Sequence, residues 1–65
     1  MLYYVIMKRA ADGKEFNVGF YLHERNAKKF IARHSDGVNG NTYRIIESDT
    51  LLRHSEMDDL IAKTA

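Results

Sequence analysis

Two apolar, strand-like runs flank an Asp-Gly pair near the start of the chain, and this arrangement constrains the fold more than any other feature. The runs cover residues 2–7 and 16–22, and both are rich in the aromatic and β-branched residues that favour strands. An Asp-Gly pair supplies the positive φ angles that a tight hairpin turn requires. The sequence therefore predicts an N-terminal β-hairpin with a two-residue turn at Asp12-Gly13.

This turn also predicts a register, because the pairing follows by counting outward from Asp12-Gly13. On one face of the hairpin the predicted pairs are all apolar: Met7 with Val18, Val5 with Phe20, and Tyr3 with Leu22. Apolar cross-strand neighbours stabilise a sheet, so this face is predicted to be the core.

The opposite face of the predicted hairpin is also apolar, where a sheet with one buried face shows polar residues. Its large residues are Leu2, Tyr4, Ile6 and Tyr21. Two interpretations stay open. Either this face is a protein interface, since exposed apolar patches and Tyr are typical of contact surfaces, or a C-terminal helix folds over it through Met57, Leu60 and Ile61.

Residues 24–34 have the periodicity of an amphipathic helix. Its apolar stripe consists of Ala27, Phe30, Ile31 and His34, at spacing i, i+3, i+4, i+7. Four basic residues lie off this stripe: Arg25, Lys28, Lys29 and Arg33. The helix is predicted to pack on the core face of the hairpin, with His23 as its N-cap and Gly37 as its terminator.

The rest of the chain predicts one more strand and one more helix. Residues 42–47 read as a strand, with Tyr43 and Ile45 on one side and Arg44 and Ile46 on the other. Ser55 followed by an acid at Asp58 has the form of a capping box and predicts a short C-terminal helix. Segment 36–41 is interpreted as a connecting loop and not as a phosphate-binding loop. A phosphate-binding loop follows a strand and precedes a helix, whereas this segment follows a predicted helix and precedes a predicted strand.

These elements predict an α+β fold for a single domain covering residues 1–65. The order is ββαβα: a three-stranded, mainly antiparallel sheet carries one amphipathic helix and a short C-terminal helix. A chain of 65 residues buries only about 60% of the surface that it exposes when unfolded. The chain has no Cys, which excludes disulfides and Cys-based zinc sites. With these excluded, self-association is the main remaining way for so small a chain to gain stability.

Composition and motifs favour a cytoplasmic protein without catalytic chemistry. Lys8-Arg9 follows the first apolar run, which reverses the order of a signal peptide, and that run is too short to span a membrane. His23, His34 and His54 are not at zinc-binding spacing, so no metal or cofactor is expected. Ser55, next to His54, is explained as a helix cap. We therefore expect no enzyme activity and no small-molecule substrate.

Two functions are compatible with this reading. The first is a small protein-binding module that acts by surface contact and forms a homodimer through Leu2, Tyr4, Ile6 and Tyr21. Chains of this size and composition resemble, as a class only, small phage-encoded inhibitors and accessory proteins. The alternative is a nucleic-acid-binding protein that uses Arg25, Lys28, Lys29 and Arg33.

Charge is unevenly distributed along the sequence, which bears on the second function. Residues 1–34 contain seven basic and three acidic residues, a net charge of +4, whereas residues 35–65 contain three and six, a net charge of −3. The basic residues can steer an acidic partner or a nucleic acid. Alternatively, the two halves neutralise each other in space.

Overall fold

The computed structural model describes residues 1–34 and 40–65, which form three strands and two helices in the order ββαβα. The elements are β1 (Leu2–Lys8), β2 (Glu15–Tyr21), α1 (Glu24–His34), β3 (Thr42–Ser48) and α2 (His54–Thr64). The strands form one antiparallel sheet in the order β2-β1-β3. The predicted α+β fold is therefore confirmed. The predicted terminator Gly37 and most of loop 36–41 lie outside the described residues.

The central strand β1 is buried on both faces. Tyr4, Val5 and Ile6 are consecutive, and each is at most 2% exposed. Because successive side chains of a strand point to opposite faces, both faces of the sheet must be covered at this strand. Tyr4 and Ile6 pack with Met57 and Ile61 of α2. We call this side of the sheet the α2 face, and the side that carries Val5 the α1 face.

Helix α1 covers the α1 face with the stripe that its periodicity predicts. Ala27 is fully buried. The ring of Phe30 lies 6.1 Å from the ring of Tyr21 and 6.3 Å from that of Tyr43, so it reaches both edge strands. His34 is exposed, but its ring lies only 4.2 Å from the ring of Phe30. The apolar stripe therefore faces the sheet, and the opposite side of α1 faces solvent.

The hairpin loop is longer than predicted. The Arg9 N–H donates to the Lys14 carbonyl (2.8 Å), so residues 10–13 form a four-residue loop, closed further by a bond from the Gly13 N–H to the Arg9 carbonyl (2.7 Å). The Asp12 carboxylate stabilises this loop by accepting the Lys14 N–H at 3.1 Å and binding the Arg9 guanidinium. The hydrogen bond from Arg9 lowers the pKa of Asp12 to about 2. The predicted two-residue turn is wrong because these bonds favour a longer loop.

A β-bulge in β2 shifts the register a second time. Ile6 pairs with Asn17 but Val5 pairs with Gly19, so Val18 is an extra residue. The side chain of Asn17 accepts a hydrogen bond from the Gly19 N–H at 3.1 Å, so this N–H donates to a side chain at the bulge.

The bulge changes which residues of β2 share a face, whereas the longer loop moves the pairing by two residues and leaves the faces unchanged. The observed pairs are Met7 with Phe16, Tyr4 with Phe20, and Tyr3 with Tyr21. The predicted pairs of Met7 with Val18, Val5 with Phe20 and Tyr3 with Leu22 are therefore wrong. Beyond the bulge, Phe20 lies on the α2 face beside Tyr4, and Tyr21 lies on the α1 face. Strand β3 keeps its predicted alternation: Ile46 pairs with Tyr4, and Ile45 pairs with Val5.

One arginine joins both edge strands to the end of α2. Arg44 of β3 donates from Nε and Nη2 to the Glu15 carboxylate of β2 (2.8 and 3.2 Å). It also donates to the carbonyls of Thr64 (3.1 Å) and Ile61 (3.2 Å). A guanidinium suits this role because its donors form a rigid fork. The hydrogen bonds from Arg44 hold the pKa of Glu15 below its usual value.

The start of α2 is fixed by different contacts from those predicted. The Leu52 N–H donates to the Tyr4 hydroxyl at 2.9 Å, which ties the segment before the helix to the core. Arg53 is the N-cap residue, and its N–H donates to Glu56 Oε1 at 3.2 Å. The predicted capping box at Ser55 and Asp58 is wrong by two residues. Because the helix begins at His54, Glu56 is its third residue, the position from which a side chain can accept the N–H of the N-cap residue.

Glu15→Gln is expected to reduce the free energy of unfolding by about 1 to 2 kcal/mol at pH 7, because a charge-assisted pair becomes a neutral one. The pKa of Glu15 is lower in the folded chain than its ordinary value of 4.5, so its contribution is complete above that pH and is lost as the pH falls further. The difference between wild type and variant should therefore shrink in acid, as measured by urea unfolding between pH 7 and pH 3. Glu47→Gln, an exposed position on β3, is the charge-matched control.

Candidate protein-interaction site

The residues predicted to form a binding surface do not share one exposed face. Tyr4 and Ile6 are 2% and 0% exposed, beneath Met57 and Ile61 of α2. A partner could reach them only by displacing this helix. Of the two interpretations that the sequence left open, coverage by the C-terminal helix is the one that the structure shows.

The other two predicted interface residues are also placed differently. Leu2 is partly buried and packs against the same core. Tyr21 lies on the opposite face, with its ring near Phe30 of α1. The physical reason is the bulge at Val18, which moves every later residue of β2 to the other side of the sheet.

Of the six large apolar residues that are exposed in the described part of the chain, four lie on β2 or directly after it. They are Phe16, Val18, Phe20 and Leu22, with exposed fractions of 38, 39, 48 and 67%. We call these four residues the β2 surface, although Phe16, opposite Met7, lies on the α1 face and Phe20, opposite Tyr4, lies on the α2 face. Strand β2 is at the edge of the sheet, and within residues 1–34 and 40–65 no strand pairs with its outer side. Unpaired backbone groups of an edge strand can pair with another strand.

A groove runs beside the β2 surface, between β2 and the first half of α2. Its volume is about 470 Å³, and Phe16, Leu52 and Met57 supply its apolar lining. His54 and Asp58 of α2 border it with polar groups. The β2 surface therefore continues into a concave region and does not end at the strand.

The two halves of β2 differ in how open their edge is. In the first half, the Arg9 guanidinium lies over the Phe16 ring at 5.0 Å, and Glu15 is held by Arg44. At the bulge, Asn17 occupies the Gly19 N–H. Beyond the bulge, Phe20 and Leu22 are more exposed than the apolar residues before it. The second half is therefore the more accessible part of the edge.

The four residues of the β2 surface are the functional candidates that sequence reasoning missed. The predicted register placed Val18 and Phe20 in the core, facing Met7 and Val5. One sequence signal pointed the other way, because a Gly inside a strand run, here Gly19, often marks a bulge. A bulge at that position predicts the change of face that the structure shows.

The predicted basic face of α1 exists as expected. Arg25, Lys28, Lys29 and Arg33 are all exposed. Lys28 forms an ion pair with Glu24 at 3.2 Å, one turn away on the same helix. Beside this face, a shallow groove of about 170 Å³ is lined by Lys29, Arg33 and the two rings of Tyr21 and Phe30. The face is therefore cationic, solvent-accessible and bordered by aromatic side chains.

Other classes of site have less support in the described residues. Residues 1–34 and 40–65 contain no group of three or more His, Asp or Glu side chains that could hold a metal ion. His54, Ser55 and Glu56 are consecutive in the first turn of α2, and Glu56 is engaged in capping. In the same part of the chain, no helix is long and apolar enough to cross a membrane.

Comparison with known proteins adds no relative: no family model, curated protein or solved structure matches this chain. The functional interpretation therefore depends on the geometry of the two exposed surfaces described above.

Ile61→Ala is expected to reduce the free energy of unfolding by about 2 to 4 kcal/mol, because it leaves a cavity between α2 and the sheet. Leu51→Ala removes a similar side chain that is 69% exposed, and it should cost less than about 1 kcal/mol. Ile61→Val, expected to cost about 0.5 to 1.5 kcal/mol, covers the case in which the alanine variant does not fold. Equal losses for the two alanine variants in urea unfolding would show that α2 does not seal this face.

Proposed function

We propose that this chain is a small, non-enzymatic protein-binding module that self-associates through the outer edge of β2. The β2 surface is the observation that carries this proposal, because it combines four exposed apolar side chains with an unpaired strand edge. Strand addition uses both features, since backbone hydrogen bonds give affinity and side chains give specificity. The binding surface is therefore placed on β2, and not on the residues predicted from the sequence.

The size of the β2 surface supports a weak complex. A large apolar side chain has roughly 150 to 250 Å² of surface, so the four residues expose about 350 Å². Apolar patches of a few hundred Å² are typical of interaction sites. A stable interface buries about 800 Å² on each partner. The β2 surface supplies under half of that area, so we propose a concentration-dependent dimer, with a Kd on the order of tens of micromolar.

The bulge limits the pairing to the second half of the strand. An antiparallel pair of β2 strands centred on Phe20 places Phe20 opposite its own copy, and it places Val18, at the bulge, opposite Leu22, which directly follows the strand. Each of these pairs is apolar, and an aromatic pair contributes about 0.5 to 1.5 kcal/mol beyond its buried area. A two-fold symmetric dimer requires such self-complementarity. If one residue contacts a second residue across the interface, the same contact must form again with the two chains exchanged.

The same edge could also bind a strand of a different protein, which is how an inhibitory or accessory role would operate. A second copy is the occupant that we propose, because the register centred on Phe20 is self-complementary.

Sedimentation equilibrium between about 5 and 500 μM tests self-association directly. Wild type should show a monomer–dimer equilibrium, and Phe20→Ser/Leu22→Ser should raise its dissociation constant at least about tenfold, the effect of losing about 1.4 kcal/mol. Leu51→Ser, which alters an exposed leucine away from β2, should leave the equilibrium unchanged. A wild-type chain that stays monomeric over this range would rule out the second copy as occupant.

A single-cysteine variant tests the proposed register, since the chain has no Cys of its own. Phe20→Cys should form a disulfide-linked dimer under mild oxidation, because opposed residues in an antiparallel pair lie within the reach of a disulfide. Leu51 is more exposed than Phe20 (69% against 48%), yet Leu51→Cys should cross-link much more slowly. If Phe20→Cys cross-links no faster while sedimentation shows a dimer, the register is wrong although the self-association is right.

A further inference from the structure

The solvent side of α1 carries a cationic stripe whose shape fits a groove with phosphates on both rims. At about 100° per residue, Ala32 and Arg25 lie near the middle of this side, Lys28 lies on one flank, and Lys29 and Arg33 lie on the other. The smallest side chain, Ala32, therefore lies near the line of closest approach. The cations on the two flanks can reach outward in opposite directions, and Arg25, in the first turn of α1, can reach a phosphate beyond the N-terminal end of the helix.

The acidic residues of α2 do not lie beside this stripe. Glu56, Asp58 and Asp59 belong to α2, which packs on the opposite face of the sheet. Among the described residues, the ion pair of Lys28 with Glu24 is the one formed on α1. The basic residues of α1 and the acids of α2 thus lie on opposite faces of the sheet, whereas Glu47 of β3, opposite Tyr3, is an acidic residue on the α1 face.

From this geometry we propose that α1 docks in the major groove of duplex DNA, with Arg25, Lys28, Lys29 and Arg33 on backbone phosphates. The major groove is about 12 Å wide, and a helix with its side chains is about 10 to 12 Å across. The 11 residues of α1 extend for about 16 Å, enough to lie along this groove. Duplex RNA has a deep and narrow major groove that excludes a helix, so the fit is to DNA.

Contacts of this kind position a protein on DNA without reading sequence, because phosphates are the same at every step. Each neutralised phosphate contributes a slope of about −0.9 to the dependence of log K on log salt. Four contacts therefore give a slope of about −3.6. Between 50 and 200 mM salt, this slope corresponds to a loss of about 150-fold in affinity.

The test is fluorescence anisotropy of a labelled 20-base-pair duplex, titrated with the full chain between 50 and 200 mM NaCl. Wild type should bind with the slope above. Lys29→Ala/Arg33→Ala should reduce the slope to about −1.8, because two phosphate contacts are lost. Both changes place Ala at exposed helix positions, which favours the helix, and circular dichroism verifies the fold.

The matched control is Arg53→Ala/Lys63→Ala, which removes the same charge from the α2 side and should leave the slope unchanged. No binding at 50 mM salt would overturn the proposal. So would an equal reduction in slope for the control, because binding would then follow net charge and not α1. Equal or tighter binding of single-stranded DNA or duplex RNA of the same length would overturn docking in the major groove.

Discussion

Burial of β1 on both faces is the constraint on which the rest of this structure depends. Three consecutive residues, Tyr4 to Ile6, are excluded from water, and alternating side chains place them on opposite faces. No single helix can cover both faces, so the fold requires one helix on each side of the sheet. Helix α1 closes over Val5, and α2 closes over Tyr4 and Ile6. The second apolar hairpin face is therefore core, although a one-layer view of the hairpin suggests an interface.

The way in which α2 is held explains why β2 stays open. The Tyr4 hydroxyl fixes the segment before α2, and Arg44 binds the carbonyls of its last turn. The core residues under α2 come from β1 and β3. Strands are about 4.8 Å apart and a helix is about 10 Å across, so one helix covers about two strands. Helix α2 therefore leaves the α2 side of β2 exposed at Phe20, and the groove lies along that boundary.

Local periodicity was sufficient to predict the elements, their order and the basic side of α1, since each is determined by residues close in sequence. The register could not be predicted in this way. It depends on hydrogen bonds of Asp12 that lengthen the loop, and on one extra residue at Val18. Neither has a periodic signature, yet each shifts every pair beyond it. For this reason the bounds of α1 were predicted correctly, while the candidate surface moved from Tyr4 and Ile6 to the β2 surface.

The sheet converts the charge asymmetry of the sequence into an asymmetry in space, with the basic side chains of α1 on one face and the acids of α2 on the other. This charge distribution is the basis of the proposed approach of a polyanion from the α1 side. In an antiparallel pair, opposed side chains share a face, so two copies joined at β2 carry both α1 helices on the same side. The proposed dimer would double the cations available to the proposed DNA site, whereas the two cationic helices would repel each other when no polyanion is bound. Under these two proposals, binding of DNA and pairing of β2 would be thermodynamically coupled, because each would stabilise the arrangement that the other requires.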